Sequence, residues 1–245
     1  MVYSNKHLVI LDADGTTIDA FQAISETFTH HGMDLGDLSR FQRRHNLFKY
    51  LGGVKEFPKN LKKQLSPVKR SQLIKTLTDV YREQGRLYEG IHEMIQSLLD
   101  LPDTVVGVVT RNITNDPLET LQTLFRREGI DVEALDFLVH IPLRNQKTEA
   151  FRQVRHDFGI NPALASVCGD EHKDFSAAIA TGMHPYIVSY GFENYARLTD
   201  KYEIPPEIIA RTPAEMSQRL MHALSCKKPL SVFQGSIEED NARLG

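Results

Sequence analysis

The sequence predicts an α/β fold built on a mainly parallel sheet, with a helical segment inserted after the first strand. Three observations carry this expectation. Short apolar runs alternate with helix-patterned stretches across residues 104–189, the rhythm of parallel strands joined by covering helices. Residues 20–86 break that rhythm and offer helical spacing without a convincing β-branched run. Finally, Asp12-Ala13-Asp14-Gly15-Thr16 stands directly behind Leu8-Val9-Ile10-Leu11, so a buried strand ends at two carboxylates and a tight turn. In such sheets the functional groups gather at the carboxyl ends of the strands.

The first strand comprises the apolar run 8–11. Strand side chains alternate between faces, so Asp12 and Asp14 share one side. Like charges this close persist where a cation bridges them or one keeps a proton. Helical stretches follow at 21–31, 40–50 and 67–81, interrupted by Leu51-Gly52-Gly53-Val54, with Gly85 and Gly90 as turn positions at the exit. A β-branched run at 104–109 is the second strand. Asp116-Pro117 opens a helix, since an acid followed by proline suits a first turn. An apolar run at 137–143 precedes helical spacing at 146–158 through Ala150, Phe151, Val154 and Phe158. Another strand at 165–169, a small-residue helix at 174–181 and a run at 185–189 complete the pattern. The chain from Lys227 to Gly245 is polar, with Pro229, Gly235 and Glu238-Glu239-Asp240, and reads as a loosely held tail. The expected organisation is a core of residues 1–19 and 87–226, a helical cap at 20–86 and a tail at 227–245.

The 245 residues suffice for a full core, and 41% hydrophobic with 25% charged residues describes an ordinary globule. Two cysteines, Cys168 and Cys226, are too few for a disulfide scaffold and suit a reducing compartment. The opening apolar run is too short for a secretory signal, and no later stretch reaches membrane-spanning length. The expected setting is therefore the cytoplasm, without a membrane partner. A net charge of -3 conceals an asymmetry, because residues 40–75 hold eleven basic side chains against Glu56 alone. Nucleic acid is disfavoured as the partner, since Phe41, Phe48, Tyr50 and Phe57 fall at spacings that suit a helical core face. The segment is then either a solvated helical surface or one that draws small anions toward a site.

Two carboxylates need partners from other strand ends, and the sequence supplies them in order. Thr110-Arg111-Asn112 closes the second strand with a hydroxyl, a cation and an amide. Lys147 opens a helix after the third strand. Asp170 follows the strand at 165–169, and Asp174 stands one helical turn beyond it.

These residues resemble the motifs of the haloacid dehalogenase superfamily, and more closely its phosphoglycolate phosphatase-like members with a helical cap. Asp12-x-Asp14-Gly15-Thr16, with Asp19 following, is similar to the family's first motif, and Thr110-Arg111-Asn112 to its second. Lys147 matches the third, Gly169-Asp170-x-x-x-Asp174 the fourth, and Leu87-Tyr88-Glu89-Gly90-Ile91 the return from cap to core. The resemblance covers residues from about 7 to 224 and implies a Rossmann-like core.

It also implies a magnesium-dependent phosphatase acting on a small phosphate ester through an aspartyl-phosphate. Asp12 is then the nucleophile, and Asp14 protonates the leaving alcohol and later activates water. Thr110, Arg111 and Lys147 bind the phosphoryl group. Asp12, the backbone carbonyl of Asp14 and Asp170 hold Mg²⁺. Asp174 stands behind them, orienting a metal-bound water or Lys147. Arg40, Arg43, Arg44, His45 and Lys49 in the cap are candidates to meet a second anionic group. A phosphosugar mutase is the alternative enzyme, and a non-catalytic regulatory or binding descendant or a phosphate-carrying receiver domain the alternatives outside it.

Overall fold

In the computed structural model the described residues are 3–43 and 70–226. They form one six-stranded sheet, every neighbouring pair parallel: β1 (His7–Leu11), β2 (Thr104–Thr110), β3 (Phe137–His140), β4 (Ala165–Gly169), β5 (His184–Val188) and β6 (Ile209–Ala210). The spatial order is β3-β2-β1-β4-β5-β6. The order reverses at β1, which lies between β2 and β4, and a crevice forms outside the strand ends at such a switch point. Registers of Leu11 on Val108 and on Cys168 bring the ends of these three strands level. Asp12, Thr110 and Asp170 therefore emerge on one edge.

The central strands β1, β2 and β4 are largely apolar and buried because both faces are covered. Val9 and Leu11 enter one cluster with Phe28, Leu73, Tyr81, Ile91, Phe125 and Met216. Leu8 and Ile10 enter the other with Val109, Phe151, Val154 and Val167. The first cluster is built by α1 (Ala20–His30), α3 (Arg70–Glu83), α4 (Ile91–Leu99), α5 (Pro117–Arg127) and α8 (Pro213–Cys226). The second lies beneath α6 (Lys147–Asp157) and α7 (His172–Ala180). The short α2 spans Leu38–Arg43.

Asp19 starts α1 by accepting a hydrogen bond from the Gln22 amide at 3.0 Å. Beside it, Ile18 bridges Leu87 and the Tyr88 amide donates to the Thr17 carbonyl. The stretch between them thus leaves and rejoins the sheet at a single point. Gly90, at φ 80°, turns that return into α4, a conformation costly for any residue with a Cβ.

The strands at 104–109 and 165–169 and the helix after Asp116 fall as the sequence predicts. The predicted run at 137–143 is a strand only to His140, because Pro142 begins a turn closed by the Asn145 amide. The predicted helix at 174–181 begins two residues earlier, at His172, because Glu171 and Asp174 form a capping box. Most of the predicted helix at 40–50, residues 67–69 of the next, and the tail lie outside the described residues. No helix among the described residues is long and apolar enough to cross a membrane.

Candidate active site

Asp12 follows β1 and is buried, with its backbone amide on the Cys168 carbonyl at 2.9 Å. One carboxylate oxygen accepts the Ala13 amide at 2.8 Å. The other meets Lys147 Nζ at 2.6 Å. Lys147 sits at the start of α6 and lies equally close, 2.6 Å, to Asp174 Oδ1. One buried ammonium therefore holds two carboxylates. Burial lowers the Lys147 pKa, but Asp12 and Asp174 together raise it above the ordinary lysine value. The lysine stays charged.

Asp14 faces the same recess. The Tyr81 hydroxyl donates to Oδ1 at 2.8 Å, and Asn112 Nδ2 donates to both oxygens at 3.1 and 3.0 Å. Asn112 is itself fixed by Thr114, whose amide and hydroxyl both donate to its side-chain oxygen. Tyr81 belongs to α3, within the 20–86 stretch, so that stretch contributes directly to the strand-end carboxylates. Thr110 is fully buried and its hydroxyl oxygen accepts the Asn112 amide at 3.2 Å.

Asp170, after β4, accepts the Phe192 amide on Oδ2 at 2.5 Å, while its buried Oδ1 has no hydrogen-bond partner. Asp12, Asp170 and Asp174 present oxygens within 4.8 Å of one another. Burial pushes the Asp12 carboxyl up, Lys147 opposes the shift and Asp174 adds to it, with the result at about 7. Burial also raises Asp170 well above the ordinary carboxylate range, and Asp12, Glu171 and Asp174 raise it further. Three carboxylates against one ammonium leave room for further positive charge, and an unpartnered oxygen on Asp170 offers it a ligand. A divalent cation with oxygen preference fits this donor set. Asp174, like Asp12, has both its oxygens engaged, Oδ1 by Lys147 and Oδ2 by the Glu171 amide at 3.1 Å, so of these three acids Asp170 is the one with an unpartnered oxygen.

The acids are packed against glycine backbone. A Cβ on Gly15 would stand 2.2 Å from Asp170 Oδ2; one on Gly191 would stand 2.3 Å from that atom and 2.3 Å from the Gly15 carbonyl. The Gly191 carbonyl also accepts Gln42 Nε2 from α2 at 2.7 Å. Gly191→Ala is therefore expected to cost about 1–3 kcal/mol, visible as a lowered denaturation midpoint with an unchanged slope. An unaltered midpoint would mean that the 191–192 loop yields freely.

Arg111, expected on the phosphoryl group, is buried and pairs with Glu171, while its Nε has no hydrogen-bond partner. Glu171, Tyr81 and the Gly191-Phe192 loop have no predicted role. Glu171 was legible within the fourth motif, but nothing in the sequence ties Tyr81 to Asp14, 67 residues away, or Gly191 to Asp170, which it approaches through backbone packing. Arg44, His45 and Lys49 lie outside the described residues, as do the side chains of Arg40 and Arg43.

The family model for haloacid dehalogenase-like hydrolases matches residues 9–188. The chain belongs to that family. No curated protein sequence matches it. Among solved structures, it is similar to a protein described as a predicted phosphatase from Clostridium acetobutylicum, with TM-score 0.58 and 17% identity over 89% of this chain and 100% of that one. It is also similar to one described as a predicted phosphoglycolate phosphatase from Haemophilus somnus, with TM-score 0.59 and 18% identity over 89% and 99%. A third, from Thermotoga maritima and provisionally described as a beta-phosphoglucomutase, gives TM-score 0.61 and 17% identity over 89% and 100%. At these identities the likeness is one of fold. This haloacid dehalogenase-like hydrolase thus has the expected parallel α/β core, with its buried acids at the switch point of the sheet.

Proposed function

We propose that this protein is a magnesium-dependent phosphatase that hydrolyses a small phosphate monoester through phosphoryl transfer to Asp12. The observation that carries the reading is the pair of buried carboxylates held in different ways: Asp12 on a lysine ammonium, Asp14 on the neutral donors Tyr81 and Asn112. Environments that differ this way suit one acid to attack and the other to exchange a proton. Asp12 attacks phosphorus, and Lys147 and Thr110 offset charge on the phosphoryl oxygens. Asp14, whose pKa burial raises and its donors moderate, gives a proton to the departing alkoxide. It then takes one from the water that cleaves the aspartyl-phosphate. Asp12, Asp170 and the Asp14 carbonyl would hold the ion, with Asp174 fixing Lys147 behind them. Magnesium, when bound, supplies the positive charge needed for an anionic nucleophile to approach an anionic ester.

Residues 20–86 are taken as the cap, its closure excluding water as the alcohol leaves. A screen of phosphorylated metabolites with Mg²⁺ tests the reading, with release of inorganic phosphate as the expected result. An isomerised sugar phosphate without phosphate release would replace it with a mutase, and neither product with any compound would remove catalysis. Tyr81→Phe is expected to lower kcat about tenfold with alkyl phosphates and much less with nitrophenyl phosphate, whose leaving group needs no proton. Equal losses on both would assign Tyr81 a purely structural part.

A further inference from the structure

Beside the acidic recess lies a second cavity of about 420 Å³, between the start of α6 and the exposed side of α7. Its volume is in the range of metabolite-sized sites. Arg111, Arg144, Lys147, His172 and Lys173 line it, and no carboxylate does so among the described residues. Three of these side chains already face acids: Arg111 has Glu171, Lys147 has Asp12 and Asp174, and the His172 ring meets Glu193. Arg144 and Lys173 enter no described ion pair, and both are exposed. The first turn of α6 opens on the same cavity through Gln146, Lys147 and Thr148, and its N-cap residue Gln146 makes no side-chain cap hydrogen bond. First-turn amides left this way favour an anion. Arg111 and Leu143 line both this cavity and the recess of Asp12 and Asp14, so the two share a wall.

We infer that this cavity is a subsite for a second anionic group of the substrate, read by Arg144 and Lys173, so that the substrate class is a phosphate ester carrying a carboxylate or a further phosphate several atoms away. The inference rests on the phosphatase reading for the position of the first phosphate. It differs from recognition by the cap, because both cations belong to the sheet's own helices and loops. Arg144 lies in the loop after β3, where an exposed guanidinium can swing over the cavity, and Lys173 is in the first turn of α7. Two such charges beside helix amides bind an anion in a water-accessible setting, so the attraction is screened by salt.

The test uses a matched pair of non-hydrolysable probes, phenylphosphonate and 4-carboxyphenylphosphonate, titrated calorimetrically into the full chain with Mg²⁺. The wild type is expected to bind the carboxylated probe about tenfold more tightly, equivalent to about 1.4 kcal/mol. In Arg144→Ala/Lys173→Ala that preference should fall below about threefold, with the phenylphosphonate affinity held. Because both side chains are exposed, the variant should melt with the wild type. Equal affinity of the two probes for the wild type, binding of neither, or a preference that survives the double substitution would overturn the subsite. Phosphate release from the corresponding aryl phosphates is measured in parallel. Failure there with the binding preference intact would remove the phosphatase reading and leave the anion subsite standing.

Discussion

Asp12→Asn is expected to lower steady phosphate release by at least about 10³-fold while the chain still folds, since removing a nucleophile costs on this scale. The amide is nearly isosteric, and its oxygen can still accept the Ala13 amide now at 2.8 Å from Asp12. What it cannot do is attack as an anion. The stability effect combines two opposed contributions. The substitution removes a buried carboxylate that burial and Asp174 hold near pKa 7, which favours the folded state at neutral pH. It also places an amide against Lys147, which keeps Asp174 as its remaining partner. The melting temperature should therefore shift by only a few degrees. Turnover above about one per cent of wild type in a mass-verified sample would reject covalent catalysis at Asp12. Loss of the folded baseline would instead make Asp12 a structural residue.

How far this site could be read in advance depended on local signals. Asp12, Thr110 and Asp170 each stand at the end of a largely apolar strand, and parallel pairing brings those ends level. Lys147 is marked by its place at a helix start. Tyr81 is different: it looks like any aromatic on the buried face of α3, and only packing of that helix against α1 and α5 brings its hydroxyl to Asp14. Gly191 is equally silent, because its importance comes from a close approach of backbone to Asp170 rather than from a turn signature. The fold shows the same division. The strands at 104–109 and 165–169 stand out by composition, whereas β6 is two residues long and exists through pairing with β5. The helix Ile91–Leu99 was hidden by its position at the cap-to-core return, where Gly90 reads as a turn.

Removal of the metal should abolish activity and lower stability in a pH-dependent way. Asp12, Asp14 and Asp170 all have folded pKa values raised above the ordinary aspartate value of 3.8, by burial first; neighbouring carboxylates add to the shift at Asp12 and Asp170. The folded protein without metal therefore retains protons that the unfolded chain releases. Their stabilising contribution is complete below about pH 4 and is lost as pH rises through the folded values, which for Asp12 means about 7. The metal-free chain should accordingly melt lower at pH 7.5 than at pH 5.5. On the magnesium-dependent reading the ion would take the place of those protons, so its affinity should grow as the ligands deprotonate. At a concentration about 100 times its dissociation constant it should contribute about 2.7 kcal/mol. That corresponds to roughly 5–10 °C for a domain of this size. The increment over a chelator-treated sample should be largest at pH 7.5 and small at pH 5.5. Activity should return with magnesium and only weakly with calcium, whose larger and looser coordination misplaces Asp12 relative to the phosphorus. A melting temperature indifferent to magnesium at pH 7.5, or an increment larger at pH 5.5, would mean that Lys147 alone neutralises the acids and that the partner of the free Asp170 oxygen is not a cation.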